Sequence, residues 1–499
     1  MTAPTYGIVI QEASTGLLPV QAGDFSVIGI LTTADDSLVA TFPLDTPVAF
    51  NSTDPAYLGA AGTGALFNAL TSINNQLKPW QSAATVVAVV VTAGGSEADT
   101  IAALLGSSGS GTGLHAFSRA GSLTGFIPRI LIAPGHTGYQ TFSISAPHIT
   151  AGGSGYTGGA TVTFSPSGAT ATATVASGAV TAISMTAPGS YAPGETVTGT
   201  ITPTVAGQGS GATFTFTETE LANPIAAALP AVAAGLLATA FVAASGDGVI
   251  ADTIAWRQTL SSDRLIPCDT WVISPNSASS PVYTDGTAEA AGAQAAADFK
   301  NAGVPGWTIS GQQINGILGL KNTYSFSLTD GATQGQQLLA DQIAVIEPGA
   351  IASDTAIAAS GYVWAGVWNA STDPLAWFVN KRRMKDYVNL ALVKAIRQRL
   401  GVDNVTPHAV QAVLNDMTVL GSWLLSRQIS LGFAVRFVPS LNSPTQLAQG
   451  QFVVTFANET PAPITQVTVE SQDYPEALTI ELATILAQAN TLSPQYLTA

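Results

Sequence analysis

The sequence predicts a multidomain chain of α/β and α+β class: an α/β core, an all-β module inserted into it, and a C-terminal α+β domain. Three observations predict this. The 499 residues exceed one ordinary hydrophobic core. Apolar runs of strand length alternate with helical spacings in two separated stretches. Between about Ile144 and Thr219 the text changes abruptly to Gly, Ser, Thr, Ala and Val in short alternating runs. The boundaries read as an N-terminal arm at 1–20, the α/β core at 21–145 and 221–375, the inserted module at 146–220, a C-terminal domain at 376–475 and a C-terminal arm at 476–499.

The first element is the strand TYGIVIQEAS, with Tyr6, Ile8 and Ile10 on one side and Gly7, Val9 and Gln11 on the other. An isolated strand needs partners for its N–H and C=O groups, so it pairs within its own domain or with another copy. FSVIGILTT and ATVVAVVVTA follow as buried strands. Between them GTGALFNALTSINNQL has helical spacing, with Leu66, Leu70, Ile73 and Leu77 on one side, and IPRILIAPG is a third strand. That rhythm predicts a mostly parallel sheet.

In the module, ATVTFS, TATATVA, VTAISMT, ETVTGTIT and ATFTFTE are strands separated by Gly, Pro and Ser turns, and the text near Tyr156 is echoed near Tyr191. The uncharged stretch ANPIAAALPAVAAGLLATAFVAAS has the length of a membrane span. It is alanine-rich, carries Pro224 and Pro230 and lacks basic or aromatic flanks, which predicts a helix over 225–237 and then a buried strand. The α/β rhythm resumes through TAFVAAS, IADTIAWRQTL, TWVISP, AEAAGAQAAADFKNAG and AVIEPGA. WFVNKRRMKDYVNLALVKAIRQRLG is a long helix. A second opens at Thr406-Pro407, with Thr as N-cap and Pro as first helical residue. AVRFVPS, QFVVTFAN and ITQVTVESQ close the chain as strands.

Charged residues are only 9% against 46% hydrophobic, so much of the surface is expected to lie against partners. A net charge of −15 argues against a general nucleic-acid binder, because backbone affinity comes from neutralising phosphates. Cys268 is the only cysteine, which excludes an intrachain disulfide and a multi-cysteine zinc site. The N-terminus lacks a secretory signal pattern, and folding in a reducing cytoplasm is expected. No catalytic, cofactor or metal residues are assigned. The glycine-rich 106–113 has no following Lys-Ser/Thr and reads as a surface loop. His115, His136, His148 and His408 are scattered, no GxSxG elbow occurs, and the carboxylates at Asp35 and Asp263 read as caps and turns.

The long helix holds Lys381, Arg382, Arg383, Lys385, Lys394, Arg397 and Arg399, seven of the 16 basic residues. Met384, Tyr387, Val388, Ala391, Ala395 and Ile396 form its core face. Arg383, Lys394 and Arg397 fall roughly opposite, as a solvated face or a dock for an acidic partner.

YGIVIQEASTGLLPV with FSVIGILTTADD and FPLDTPVAF, then GTGLHAF with TGFIPRILIAPG, DTIAWRQTLSSDRLIP and WFVNKRRMKDYVNLAL, resemble in order the sheath proteins of contractile phage tails and related contractile particles. The resemblance implies a non-enzymatic virion protein without cofactor, assembled in the host cytoplasm. It would stack as hexameric rings around the tail tube and contract to drive the tube through a cell envelope. Implied partners are further copies, the tube protein, and baseplate and terminator proteins, with no nucleic acid and no membrane insertion. Tyr6, Ile8, Val9 and Ile10 would then be a strand donated to a neighbour, with 451–456 and 464–470 as receiving strands. Arg383, Lys394 and Arg397 would face the tube. From the residues alone, a non-contractile adhesion protein using the β module as its binding head remains the alternative.

Overall fold

A computed structural model describes residues 23–138, 141–191, 195–275 and 281–492, so the expected strand at Tyr6, Ile8, Val9 and Ile10 lies outside the described residues. The chain divides into two units, one ending at Ala462 and the other beginning at Pro463.

The first unit is built on an eight-stranded sheet in the order Tyr362–Ala365, Ala344–Pro348, Leu265–Asp269, Thr239–Ala243, Ile130–Ile132, Ile28–Thr33, Thr85–Val91, Val48–Asn51. The inner strands pair in parallel and the two edge strands antiparallel. Continuous apolar runs suit strands covered on both faces, because successive side chains point to opposite sides. Ile28, Ile30, Val86, Ala88, Val90 and Ile132 enter one core, and Leu31, Val87, Val89, Val91, Leu131 and Ala133 enter the other. The helices Ala65–Leu77 and Thr287–Lys300 cover the first face, and Glu97–Leu105 and Pro224–Leu236 the second.

Local chemistry fixes the helix ends. The N-cap of Ala65–Leu77 is Gly64, which has no side chain to offer. Asp35 and Asp36 supply the missing acceptors from the loop after Ile28–Thr33: Asp35 Oδ2 accepts from the Ala65 amide at 2.9 Å, and Asp36 accepts from Thr63 and Gly64. Those bonds to Thr63 hold the Asp36 carboxyl below its ordinary value. Asn223 caps Pro224–Leu236, accepting from Ile225 and Ala226, with Pro224 at the first helical position. Thr287–Lys300 is buried almost all round, and its alanines let it approach closely. A Cβ at Gly292 would lie 2.8 Å from the Cα of Ile73.

Between Ile130–Ile132 and Pro224–Leu236 the described residues form six strands and no helix. Thr141–Ser154 and Ser210–Leu221 pair antiparallel along their length, and a four-stranded sheet packs on them through Phe142, Ile144, Phe164, Tyr191, Phe214 and Phe216. Threonines line the outward side, as in the pairs Thr161–Thr202 and Thr163–Thr200. Thr141 and Leu221 are registered partners, so chain entry and exit stand about 5 Å apart. Replacing 142–220 by a short turn is therefore expected to leave the remaining unit folded, with one cooperative calorimetric transition at nearly the same midpoint. Loss of that transition would mean that the module is part of the core.

One element went unassigned in the sequence and one expectation needs correcting. FPLDTPVAF contains an edge strand, Val48–Asn51, hidden by its flanking Pro and Asp turn residues. The expected strand at 464–470 has no strand partner in the described chain, and its Ile464, Val467 and Val469 are exposed. The second unit otherwise contains the helix Glu476–Leu492. No helix among the described residues is long and apolar enough to cross a membrane.

Candidate functional site

The basic helix spans Val379–Ile396, and its N-terminal half is enclosed. Met384, Tyr387, Val388 and Ala391 pack with Phe25, Val304 and Leu420, and the Tyr387 ring sits between Phe25 at 5.5 Å and Trp423 at 6.4 Å. The helix is fastened to the α/β core by buried ion pairs. Arg383 is 2% exposed and makes a two-pronged bond to Asp298, at 2.9 and 2.6 Å, while donating to the Phe25 carbonyl. Arg264 holds Asp386 in the same way, at 2.7 and 3.0 Å, and Arg382 bridges Asp386 and Asp263. Burial pushes the Asp298 carboxyl up, with Arg383 pulling the other way. Burial disfavours the Arg382 charge, and Asp386 and Asp263 more than offset it.

This placement corrects the expectation for Arg383. Arg383 stands four residues from Tyr387, on the flank of the apolar face and not opposite it, and there it meets Asp298 on the buried helix Thr287–Lys300. Lys394 and Arg397 lie about three and four turns further along, towards the open end. Arg397 is exposed, and Lys394 is half-buried, its ammonium close to Gly23, with a pKa lowered by burial and by Arg397 and Arg129. Arg399, just past the helix, is tied to Asp416 and Asp403. Sequence spacing held no signal for the pairs Arg383–Asp298 and Arg264–Asp386, 85 and 122 residues apart, whereas Arg382 and Asp386 stand four apart on one helix, a spacing that could have found them.

Beside the helix stands a two-stranded hairpin, Gly432–Phe437 with Val454–Glu459. It rests on the helix Pro407–Ser426, where Gly421 makes room for Phe433. No third strand among the described residues pairs with either edge. An isolated hairpin is marginal in water and its free edges are templates for pairing. A groove of about 420 Å³ runs between Val454–Glu459 and the basic helix, with Val388, Leu392 and Phe456 as its apolar lining and the pair Lys381–Glu459, at 2.7 Å, on its rim.

The 106–113 loop holds no phosphate cradle. Gly106 and Gly113 take positive φ to turn the chain, and the Gly113 amide is given to Asp45. His136 contacts Glu97 at 3.0 Å, and no group of three or more His, Cys, Asp or Glu that could hold a metal occurs among the described residues.

No family model matches the chain. Over 138 residues it is 33% identical to the tail sheath protein of Escherichia phage P2, covering 26% of this chain and 34% of the relative. Over 136 residues it is 37% identical to the major tail sheath protein of Serratia phage KSP20, covering 26% and 33%. Both of these relatives are phage tail sheath proteins. The chain spans about a third of the length of each in these matches. The fold likeness is far wider. The contracted helical sheath of the anti-feeding prophage superposes with a TM-score of 0.54 at 13% identity, over 95% of this chain and 100% of that one. The contracted sheath complex of an extracellular contractile injection system, PVC, gives 0.55 at 10% over 96% and 100%, and a chain of the anti-feeding prophage baseplate gives 0.52 at 10% over 95% and 100%. The chain therefore has the mixed α/β fold of contractile sheath subunits.

Proposed function

We propose that this chain is a structural, non-enzymatic tail sheath subunit. In this reading it stacks as hexameric rings around the tail tube, docks on baseplate and terminator proteins, and contracts to push the tube through a cell envelope. It would act in the virion tail after assembly in the host cytoplasm, with no cofactor, nucleic acid or membrane insertion. The observation that carries the reading is the combination of 33–37% identity to two phage tail sheath proteins with a likeness to sheath folds over nearly the whole chain.

The unpartnered hairpin supports a link between copies by strand addition, in which main-chain hydrogen bonds give affinity and alternate side chains fill pockets. Val454–Glu459 is the receiving edge. The arm carrying Tyr6, Ile8, Val9 and Ile10 is one donor, and 464–470 becomes a second donor instead of a receiver. The inserted module at 146–220 decorates the outer surface, and the 376–475 domain faces the tube.

Tube contact falls to Lys394 and Arg397, with Arg383 withdrawn from it. Exposed ion pairs contribute at most about 1 kcal/mol each and are screened by salt. Repetition along a sheath would make them hold, and individual weakness would let them release. Reversing both charges, Lys394→Glu with Arg397→Glu, is expected to reduce co-sedimentation with purified tube several-fold at low salt while self-polymerisation persists. Equal loss of both, or of neither, would contradict this face as the tube contact.

A further inference from the structure

Glu347 lies in the edge-proximal strand Ala344–Pro348, opposite Val363, and is 2% exposed. Its Oε1 has no hydrogen-bond partner, and among the described residues no Lys or Arg pairs with it. Burial alone pushes its carboxyl up to about 7. A buried carboxylate without a partner is costly, and the ordinary remedy is to keep its proton.

The cover over this carboxyl is the segment 324–335. A Cβ at Gly335 would lie 2.8 Å from Glu347 Oε1 and 2.9 Å from a ring carbon of Phe326, so the absence of a side chain at Gly335 is what admits the acid. The amides that begin the helix Gln334–Ala340 are not free to solvate it. Gly335 donates to the Ser325 carbonyl at 2.9 Å and Gln334 to the Ser325 hydroxyl at 3.1 Å. The segment is held at its other end by Tyr324, which donates to Asp269 at 2.6 Å, and midway by Leu328, which donates to the Thr355 carbonyl. Beneath it Tyr324 packs on an apolar cluster of Leu338, Ile343, Val345 and Ala365.

Of the other charged groups on the surrounding elements, Asp354, next to the Thr355 carbonyl that Leu328 meets, is exposed, and the rest are engaged elsewhere. Asp330 on the segment accepts from the Ala332 amide, Asp341 after the helix faces Arg257, Asp269 on the neighbouring strand is bound by Tyr324 and Thr253, and Lys321 lies over Trp271 at 4.4 Å. Tyr362 is the ionisable side chain on the adjoining edge strand Tyr362–Ala365.

We propose that 324–335 is a proton-gated strap, closed over Glu347 while that carboxyl is neutral and loosened when it ionises, uncovering the apolar cluster beneath. The direction follows from linkage. The open strap returns the carboxyl to its ordinary value near 4.5, so opening releases a proton. Opening is favoured as pH rises from about 4.5 to about 7, by at most about tenfold per unit, and levels off above that.

The test is amide hydrogen exchange of 324–335 in the full chain between pH 5 and 8, corrected for intrinsic exchange, beside Glu347→Gln. In the wild type, protection is expected to fall by up to about a hundredfold and then level off. In Glu347→Gln it should be independent of pH. A flat wild-type profile, or the same slope in both proteins, overturns the proposal. Gly335→Ala gives an independent check, since its methyl occupies the acid's space. It should lower protection of this segment at pH 5 and leave the rest of the sheet unchanged, and unaltered protection there would also count against the strap.

Discussion

Arg383→Ala is expected to lower the stability of the first unit by about 3–5 kcal/mol, because it strands the Asp298 carboxylate in the interior without a counter-charge. The geometry leaves Asp298 little escape. It is 1% exposed, sits on a helix enclosed on nearly all sides, and among the described residues keeps only Gln294 as a neighbouring side-chain donor once the guanidinium is gone. Removing both members is a different experiment. Arg383→Met with Asp298→Leu replaces the pair by apolar groups of similar volume, and such replacements are often neutral or stabilising. The double variant should therefore recover most of the loss in chemical denaturation. A drop below about 1 kcal/mol for Arg383→Ala would mean that the pair is solvated in practice and that the helix is less firmly seated than its distances imply.

The second large effect is on assembly. Truncation before Pro463 should leave the first unit melting as in the full chain and should abolish polymerisation, which sedimentation would read as a change from large particles to a single slow species. The second unit has the composition of a segment that needs a partner. Ile464, Val467 and Val469 are 84, 72 and 81% exposed, and Leu478, Leu482, Ile485 and Leu486 on its helix are exposed as well. From Pro463 to the last residue it carries Glu470, Asp473, Glu476 and Glu481 and no basic residue. An apolar, acidic segment of this kind matches a neighbour's groove lined by Val388, Leu392 and Phe456 and rimmed by Lys381 and Lys385. Polymers formed equally well by the truncated chain would remove the second unit from the linkage.

The α/β core was legible because its signals are local. ATVVAVVV is a buried strand by its continuous, valine-rich apolar run, and ALFNALTSINNQL a helix by the spacing of Leu66, Leu70 and Ile73. The break in composition near Ile144 marked a change to strands for the same reason. The long-range ion pairs were not legible, although Arg382 and Asp386 stand four apart on one helix. A helical wheel places Arg383 about 40° from Tyr387, on the edge of the core face, but it carries no record that Asp298, 85 residues earlier, closes over that edge. Lys394 and Arg397 share the stripe and differ only because the core ends before reaching them. The segment 464–470 misled in another way. Its alternation is that of a strand, and strand character without a partner in the same chain leaves an exposed stretch with nothing to bond.

The central claim is that copies of this chain build a sheath by exchanging strands. Negative-stain electron microscopy of the purified full-length protein, beside a variant lacking residues 1–14, tests it most directly. The account predicts hollow, striated tubes from the full-length chain and their loss in the truncation. Full-length protein that stays monodisperse under conditions favouring assembly would contradict it.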